Sequence, residues 1–251
     1  MMMRKLFRGG FYVLLAFAFS LNVNAQSCNK KAFFTTKEMP DMTKMPFCPP
    51  KEGSAAFMYD INRYYWGKEQ RKDSLRTAIA IRDAVYGVET VAREFSIPFG
   101  LVISKETTPE IYKLLEESLA TCDSICTMPK EYWHRTRPFV YFNEPTLVPH
   151  DESVLRKNGS YPSGHTILGY SAALLLTEIN PAKADTLMSR GMMYGESRII
   201  VGAHWQSDVD AGRLAASIAY AKLHTSCRFL RQMKKARKEF IKLSAADRSK
   251  E

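Results

Sequence analysis

The chain has 251 residues, 45% of them hydrophobic and 25% charged, with a formal net charge of +10. This length and composition are typical of a globular protein with one sizeable core and exclude a wholly disordered chain. The positive charge lies at the ends, because residues 26–221 contain 23 basic and 23 acidic residues, whereas residues 222–251 contain ten basic and three acidic ones. A basic nucleic-acid-docking face is therefore not expected.

Residues 1–25 predict a secretory signal peptide. Arg4, Lys5 and Arg8 precede an apolar run over residues 11–21, and Val23-Asn24-Ala25 supplies the small-residue cleavage site. The alternative is an uncleaved N-terminal anchor, although the run is shorter than the ~20 residues of a usual membrane span. We expect a periplasmic protein without a membrane span after cleavage. Lipidation at Cys28 is left open.

Five cysteines, at positions 28, 48, 122, 126 and 227, fit an oxidising compartment and leave at least one thiol unpaired. Cys122 and Cys126 either pair locally, if a helix ends between them, or are two buried thiols on one helical face. Because neither has histidines nearby at a zinc-like spacing, a metal site is not expected.

The predicted elements begin after an extended N-terminal segment, 26–56, which is rich in Pro, Lys and Met. Residues 74–96 have apolar side chains mostly three or four apart, which predicts one helix that ends at Pro98 or at a turn beside it. Thr108-Pro109-Glu110 has the features of a helix start, with Thr as N-cap and Pro at the first position, and that helix runs to about residue 122.

The second half of the chain also predicts helices. Residues 137–159, with three prolines, predict a long loop. Further helices are predicted, in chain order, over residues 163–179, 180–202 and 207–224. A basic terminal helix follows, with Lys234, Lys235 and Lys238 in solvent and Leu223, Leu230, Met233 and Phe240 on its apolar side. Since alternating β-branched residues are scarce, the expected fold class is all-α.

Three short segments contain residues suited to binding an oxyanion. These are Lys130-Glu-Tyr-Trp-His-Arg-Thr-Arg137-Pro138, Tyr161-Pro162-Ser163-Gly164-His165, and Ser197-Arg198-Ile-Ile-Val-Gly-Ala-His204-Trp-Gln-Ser-Asp208. The guanidinium group of an arginine can bind two oxygens, a lysine adds a point charge, and the N–H groups at a helix start form an anion-binding site. Ser163 either donates to the anion or serves only as an N-cap.

His204 and Asp208 are close enough in sequence for the carboxylate to orient the imidazole and stabilise its cationic form. Taken alone, this pair would be a structural contact, Arg198 a structural ion pair, and Arg137-Pro138 a surface turn. Without a family resemblance, these structural interpretations are the favoured ones.

Together the segments resemble the signature of the acid phosphatase and vanadium haloperoxidase superfamily, which includes the type 2 phosphatidic acid phosphatases. That signature is Lys, six residues, Arg-Pro; then Pro-Ser-Gly-His; then Ser-Arg, five residues, His, three residues, Asp. The similarity extends over about residues 60–240 and is greatest to the bacterial class A non-specific acid phosphatases. It implies a single-domain helical bundle, assigned here to residues 57–243, with a polar tail at 244–251.

The resemblance implies a role for each signature residue. The phosphate-binding residues would be Lys130, Arg137, Ser163, Gly164 and Arg198. His204 would attack phosphorus while Asp208 holds its ring, and His165 would protonate the leaving alkoxide and then activate water. The implied enzyme is a metal-independent acid phosphatase without a cofactor, most active at mildly acidic pH. Its implied substrates are small phosphate monoesters (nucleotides, sugar phosphates, aryl phosphates), with phosphotransfer to other alcohols open, and it would be a homo-oligomer.

Three other functions stay open at this stage. One is a lipid-phosphate phosphatase that uses the basic C-terminal helix at a membrane surface, and another is a vanadate-dependent haloperoxidase. A phosphate-binding protein would need the arginines but not two histidines and a carboxylate. His134, His150 and His224 match no signature position. Residues 139–160 and Tyr64-Tyr65-Trp66 are candidates for substrate specificity.

Overall fold

The computed structural model describes residues 32–248, and this part of the chain contains helices and no strand. The predicted signal peptide, Cys28 and the last three residues lie outside the described residues. The α-helices are α1 Ala55–Gln70, α2 Ser74–Asp83, α3 Val88–Phe99, α4 Pro109–Asp123, α5 Thr127–Trp133, α6 Pro138–Tyr141, α7 Glu152–Leu155, α8 Gly164–Ile179, α9 Ala184–Ile200, α10 Gln206–Leu223 and α11 Cys227–Arg248. The all-α prediction is confirmed. Within residues 32–248, no helix combines the length and hydropathy that a membrane crossing requires.

Helix α8 is the central element of the bundle. It packs against α9, α10, α4 and α3, and most of its side chains are buried on every side, as its apolar sequence predicts. The Ser163 side chain caps its first turn. The predicted start of α4, with Thr108 before Pro109, is also confirmed.

The prediction of one helix over residues 74–96 is wrong. Helix α2 ends at Asp83, and α3 begins at Val88 after Gly87, whose φ of 135° is strained for any residue with a side chain. The helix does not stop at Pro98 itself: α3 continues to Phe99 and ends at the left-handed Gly100, so the predicted alternative of a turn beside Pro98 is confirmed. The apolar spacing hid the break because helical periodicity resumes directly after it. The break matters for function, since the loop it creates reaches the site described below.

The predicted loop over residues 137–159 is mostly irregular but contains the short helices α6 and α7. Between residues 32 and 54, the described part of the segment before α1, there are two short 3₁₀ turns, and Met39 and Met42 are buried in the main core. Phe33 N–H donates to Thr121 Oγ1 at 2.8 Å, which fastens this segment to α4.

Helix α11 packs on α4 and α8 through a buried face formed by Phe229, Met233 and Ala236. The prediction that Leu230 lies on this face is wrong, since Leu230 is 46% exposed. Residues 229, 233 and 236 are three or four apart and so lie on one face of the helix. Residue 230 follows residue 229 directly in the chain, so its side chain points away from that face. The three lysines predicted to be solvated are exposed.

Candidate active site

A cavity of about 780 Å³ lies where the three sequence segments meet. Of the predicted site residues, Lys130, Arg137, Gly164, His165 and His204 form part of its wall. The other three are fully buried next to that wall, and they are Ser163, Arg198 and Asp208. Ser163 precedes Gly164, the Arg198 carbonyl accepts the His204 N–H at 3.2 Å, and Asp208 bonds the His204 ring. The structure therefore brings all eight predicted residues together.

His204 lies in the turn between α9 and α10, and its ring is held from both sides. Its Nδ1 is 3.2 Å from Asp208 Oδ2, and its Nε2 is 2.9 Å from Arg137 Nη1. A guanidinium can only donate, so Nε2 is the accepting nitrogen and the ring proton belongs on Nδ1, facing the carboxylate. Burial, followed by the charges of Arg137, Lys130 and Arg198, holds the pKa of His204 well below its usual range. His204 is thus a neutral imidazole with an electron pair on Nε2.

Asp208 belongs to the first turn of α10, and its two oxygens are surrounded by donors. Oδ2 accepts from the Trp205 backbone N–H at 2.9 Å, as an acidic residue in a first turn often does, and also from Ser160 Oγ. Oδ1 accepts from Arg135 Nη1 at 2.5 Å. The carboxylate that orients His204 is therefore fixed by three other groups.

His165 lies in the first turn of α8 and lines the same cavity. Its Nε2 is 2.9 Å from the carbonyl oxygen of Ala84, in the loop between α2 and α3, and must donate to it. The other ring nitrogen, Nδ1, is therefore the one that can give or take a proton in a reaction. Burial, then the charge of Arg198, places the pKa of His165 well below its usual range. The Tyr86 ring stands edge-on to the imidazole, with ring centres 4.8 Å apart.

Two cations, Lys130 and Arg137, line the cavity, and a third, Arg198, is buried beside its wall. Lys130 Nζ donates to the Gly159 carbonyl at 2.7 Å, and Arg137 donates to the backbone carbonyls of Leu155 and Ala203. Arg198 is fully buried, and none of its three guanidinium nitrogens has a hydrogen-bond partner among the described residues. Burial lowers the pKa of Lys130 to about 8 and the pKa values of both arginines to about 10. No carboxylate of the described chain forms an ion pair with any of the three.

The start of α8 supplies the remaining donors. Ser163 Oγ accepts from the Thr166 N–H at 3.3 Å and from Thr166 Oγ1 at 2.9 Å, so the N-cap role left open by the sequence is realised. Its own hydroxyl hydrogen is still available for a second partner. The free N–H groups of this first turn and the positive end of the helix dipole face the cavity wall at Gly164.

Sequence reasoning missed several residues of the site. Arg135 and Ser160 lie within or next to the motif segments but match no signature position. Asp60 reaches the site from α1 through Arg135. Tyr86 donates to Asp123 at the cavity wall, and burial raises the pKa of Asp123. The one sequence feature that could have identified these residues is a polar side chain beside a recognised motif. Of the missed residues, Arg135 and Ser160 have this feature.

The remaining histidines and cysteines have mostly peripheral places. His134 and His150 are exposed at the cavity wall, while His224 lies outside it and contacts Glu178. Cys122 and Cys126 are buried and unpaired, so the predicted local pairing is wrong. They lie in α4 and in the short 3₁₀ turn that follows it, not on one helical face. Burial raises the pKa of both thiols to about 12, so neither is a reactive thiolate.

Comparison with known proteins agrees with this geometry. The sequence profile of the PAP2 superfamily matches residues 113–232. A non-specific acid phosphatase of Providencia stuartii is 43% identical over 196 residues, which cover 78% of this chain and 79% of the relative. One from Salmonella typhimurium is 45% identical over 192 residues, 76% of each chain. An acid phosphatase of Zymomonas mobilis is 38% identical over 194 residues, 77% of this chain and 73% of the relative. The chain belongs to the PAP2 superfamily and, within it, to the bacterial non-specific acid phosphatases.

Proposed function

We propose that this protein hydrolyses phosphate monoesters through a phosphohistidine formed on His204. The observation that carries the proposal is a cavity lined by Lys130 and Arg137, with Arg198 buried beside its wall, in which none of the three has a carboxylate partner and His204 is a neutral imidazole. Uncompensated cations in a buried site favour a dense anion, and the imidazole supplies the nucleophile. These cations stabilise the charge on the transferring phosphoryl group, so we propose a reaction that needs no metal.

In the first step, Nε2 of His204 attacks phosphorus and the bond to the ester oxygen breaks. The proton on Nδ1 stays hydrogen-bonded to Asp208, which stabilises the positive charge that develops on the ring. His165 gives the proton on its Nδ1 to the leaving alkoxide, while its Nε2–H stays on the Ala84 carbonyl. The alcohol then departs and the phosphoenzyme remains.

In the second step, Nδ1 of His165 accepts a proton from water as the water oxygen attacks phosphorus. The bond from phosphorus to His204 Nε2 breaks, inorganic phosphate is released, and the neutral imidazole is restored. An alcohol in place of water would give phosphotransfer by the same route.

The acid requirement follows from the protonation states of the two histidines. His165 must carry a second proton when the ester binds, yet burial and Arg198 depress its pKa in the free protein. A bound phosphate dianion opposes this effect, because an adjacent negative charge favours the protonated imidazole. We infer that substrate binding and proton uptake by His165 are coupled, which favours turnover at mildly acidic pH.

Hydrolysis and covalent labelling test this function. The purified protein should hydrolyse p-nitrophenyl phosphate at acidic pH with or without EDTA, and quenched reactions with labelled substrate should contain phosphate bound to protein. His204→Ala should abolish both readouts, by about 10³-fold or more in kcat for a lost nucleophile. Labelling retained in His204→Ala would place the nucleophile elsewhere.

A substrate panel separates the remaining candidates. We propose small monoesters (nucleotides, sugar phosphates, aryl phosphates) as substrates, because the reactive groups line a cavity of about 780 Å³, a size that suits small molecules. Faster turnover of lipid phosphates that is lost on changing Lys234, Lys235 and Lys238 to Gln would favour the membrane-surface alternative. Halide oxidation with vanadate and peroxide would favour the haloperoxidase.

We also propose export to the periplasm through the signal peptide at residues 1–25, with a phosphatase domain at 57–243 and a homo-oligomeric assembly. The apolar run behind three basic residues supports the first of these. N-terminal sequencing of the protein recovered from a periplasmic extract tests it, and sedimentation of the same sample measures the oligomeric state.

A further inference from the structure

Arg135 is an ion-paired residue that lies directly behind the proposed nucleophile. Its Nη1 donates to Asp208 Oδ1 at 2.5 Å and its Nη2 donates to Asp60 Oδ2 at 2.7 Å. Both carboxylates are fully buried. The guanidinium also lies 5.5 Å from the centre of the buried Trp205 ring, which limits its movement.

Two hydrogen bonds from the first turn of α10 hold Asp60 in place. It accepts from the Ser207 backbone N–H at 2.8 Å and from Ser207 Oγ at 2.6 Å. Asp60, Arg135 and Asp208 therefore alternate in charge from α1 to the cavity, and the series ends at His204, with each member bonded to the next.

The charge order has a consequence for His204. The negative charge of Asp208 stabilises the protonated ring of His204. Arg135, bound to the other carboxylate oxygen, offsets part of that charge. The protonated ring is therefore stabilised less, and the neutral ring is favoured. Asp60 in turn offsets part of the charge of Arg135. The other ionisable groups near the pair are Lys130, Arg137, Tyr161, His165 and Arg198, and none of them bonds to Asp208.

We propose that Arg135, held by Asp60, is a positioning residue that sets the basicity of His204 through Asp208. It keeps His204 unprotonated in the acidic range where the enzyme works, and it makes the imidazole a better leaving group when the phosphohistidine is hydrolysed. This inference rests on the proposed phosphohistidine mechanism. It assigns a function to a residue outside the family signature.

Two variants that move the charge in opposite directions test the inference. In Arg135→Gln, the acid limb of the kcat/KM profile for p-nitrophenyl phosphate should move to higher pH by about half a unit to one unit. At a given pH on that limb, this shift is equivalent to ~3–10-fold less activity. Asp60→Asn should move the same limb to lower pH. In rapid-quench experiments the phosphoenzyme should live longer in Arg135→Gln and shorter in Asp60→Asn. Arg135→Lys keeps the charge and should leave the limb near its wild-type position.

A matched control separates this role from a structural one. Arg63→Gln loosens the same contact between α1 and α10, where Arg63 Nε donates to Gln206 Oε1 at 2.8 Å, without touching Asp60 or Asp208. Its acid limb should stay at the wild-type pH. If the single variants are too unstable to assay, the double variant Arg135→Gln with Asp60→Asn removes both charges and should have a limb between the two expected positions.

Limbs that shift in the same direction in Arg135→Gln and Asp60→Asn, or that do not shift at all, would overturn the inference and leave Arg135 as a structural ion pair. A wild-type enzyme that turns over without forming a phosphoenzyme would instead overturn the proposed mechanism. The two failures are therefore distinguishable.

Discussion

At the scale of single residues, two buried arginines show how the site departs from ordinary protein electrostatics. Arg190 donates to Asp83 Oδ2 at 3.1 Å and so has a compensating carboxylate. Arg198, on the same helix, has no hydrogen-bond partner among the described residues. An unpaired buried charge opposes folding, and a bound anion removes that penalty.

We expect opposite effects from removing these two arginines. Arg198→Met should raise the free energy of unfolding in phosphate-free buffer by about 1–3 kcal/mol, because an uncompensated buried charge is lost. Arg190→Met should lower it by about 3–5 kcal/mol, because Asp83 is then left unpaired. Thermal unfolding measures both.

Added phosphate provides the control. It should raise the Tm of the wild type and have little effect on Arg198→Met, since a ligand stabilises the folded state it binds by an amount that grows with the logarithm of [L]/Kd. A strong phosphate effect retained in Arg198→Met would show that Arg198 does not bind the anion.

At the scale of elements, the site depends on how α2 and α8 are placed against α9. Ser197, the serine of the Ser-Arg motif, donates to Asp83 Oδ2 at 2.6 Å at the end of α2. That bond holds the next residue, Ala84, where its carbonyl accepts from His165. Ser197, a signature residue to which no phosphate-binding role was assigned, therefore contributes by joining α9 to α2.

Close approach of α8 and α9 is the second requirement at this scale. A Cβ at Gly191 would lie 2.6 Å from Ala173 Cβ, closer than carbon atoms pack. Gly191→Ala should therefore separate the helices and lower the free energy of unfolding by about 1–3 kcal/mol.

Because α8 carries His165 and α9 carries Arg198, kcat/KM of Gly191→Ala should fall as well. Chemical denaturation and steady-state kinetics measure the two effects. Unchanged stability would mean that the helices repack without cost and that the close approach is not needed.

At the scale of the whole molecule, the buried histidines link stability to pH. Both His165 and His204 have pKa values below the usual value of about 6.5 that an unfolded chain would show. As the pH falls below about 6.5, the unfolded chain gains protons that the folded protein does not, so stability decreases toward acid. Each histidine contributes a slope of up to about 1.4 kcal/mol per pH unit.

We expect the free energy of unfolding without phosphate to fall between about pH 6.5 and pH 5, and the fall to be smaller in His165→Gln and in His204→Gln. Denaturation curves at several pH values measure it, and bound phosphate should reduce the loss. His150→Gln, which changes an exposed histidine, is the control. Equal slopes in all three variants and the wild type would show that the buried histidines do not cause the loss.

The sequence by itself predicted the helical fold class and the capped starts of α4 and α8. Through its resemblance to a family signature it also predicted the eight residues that lie in or beside the cavity wall. Caps, prolines and apolar spacing act within a few residues of each other, so they can be recognised along the chain. The tertiary structure alone decided that Ala84 holds His165, 81 residues away, and that Arg135 joins Asp208 to Asp60, 75 residues away. It also revealed the break at Gly87 and the exposure of Leu230. Contacts between residues so distant in sequence depend on how helices pack, and no local pattern in the chain encodes that packing.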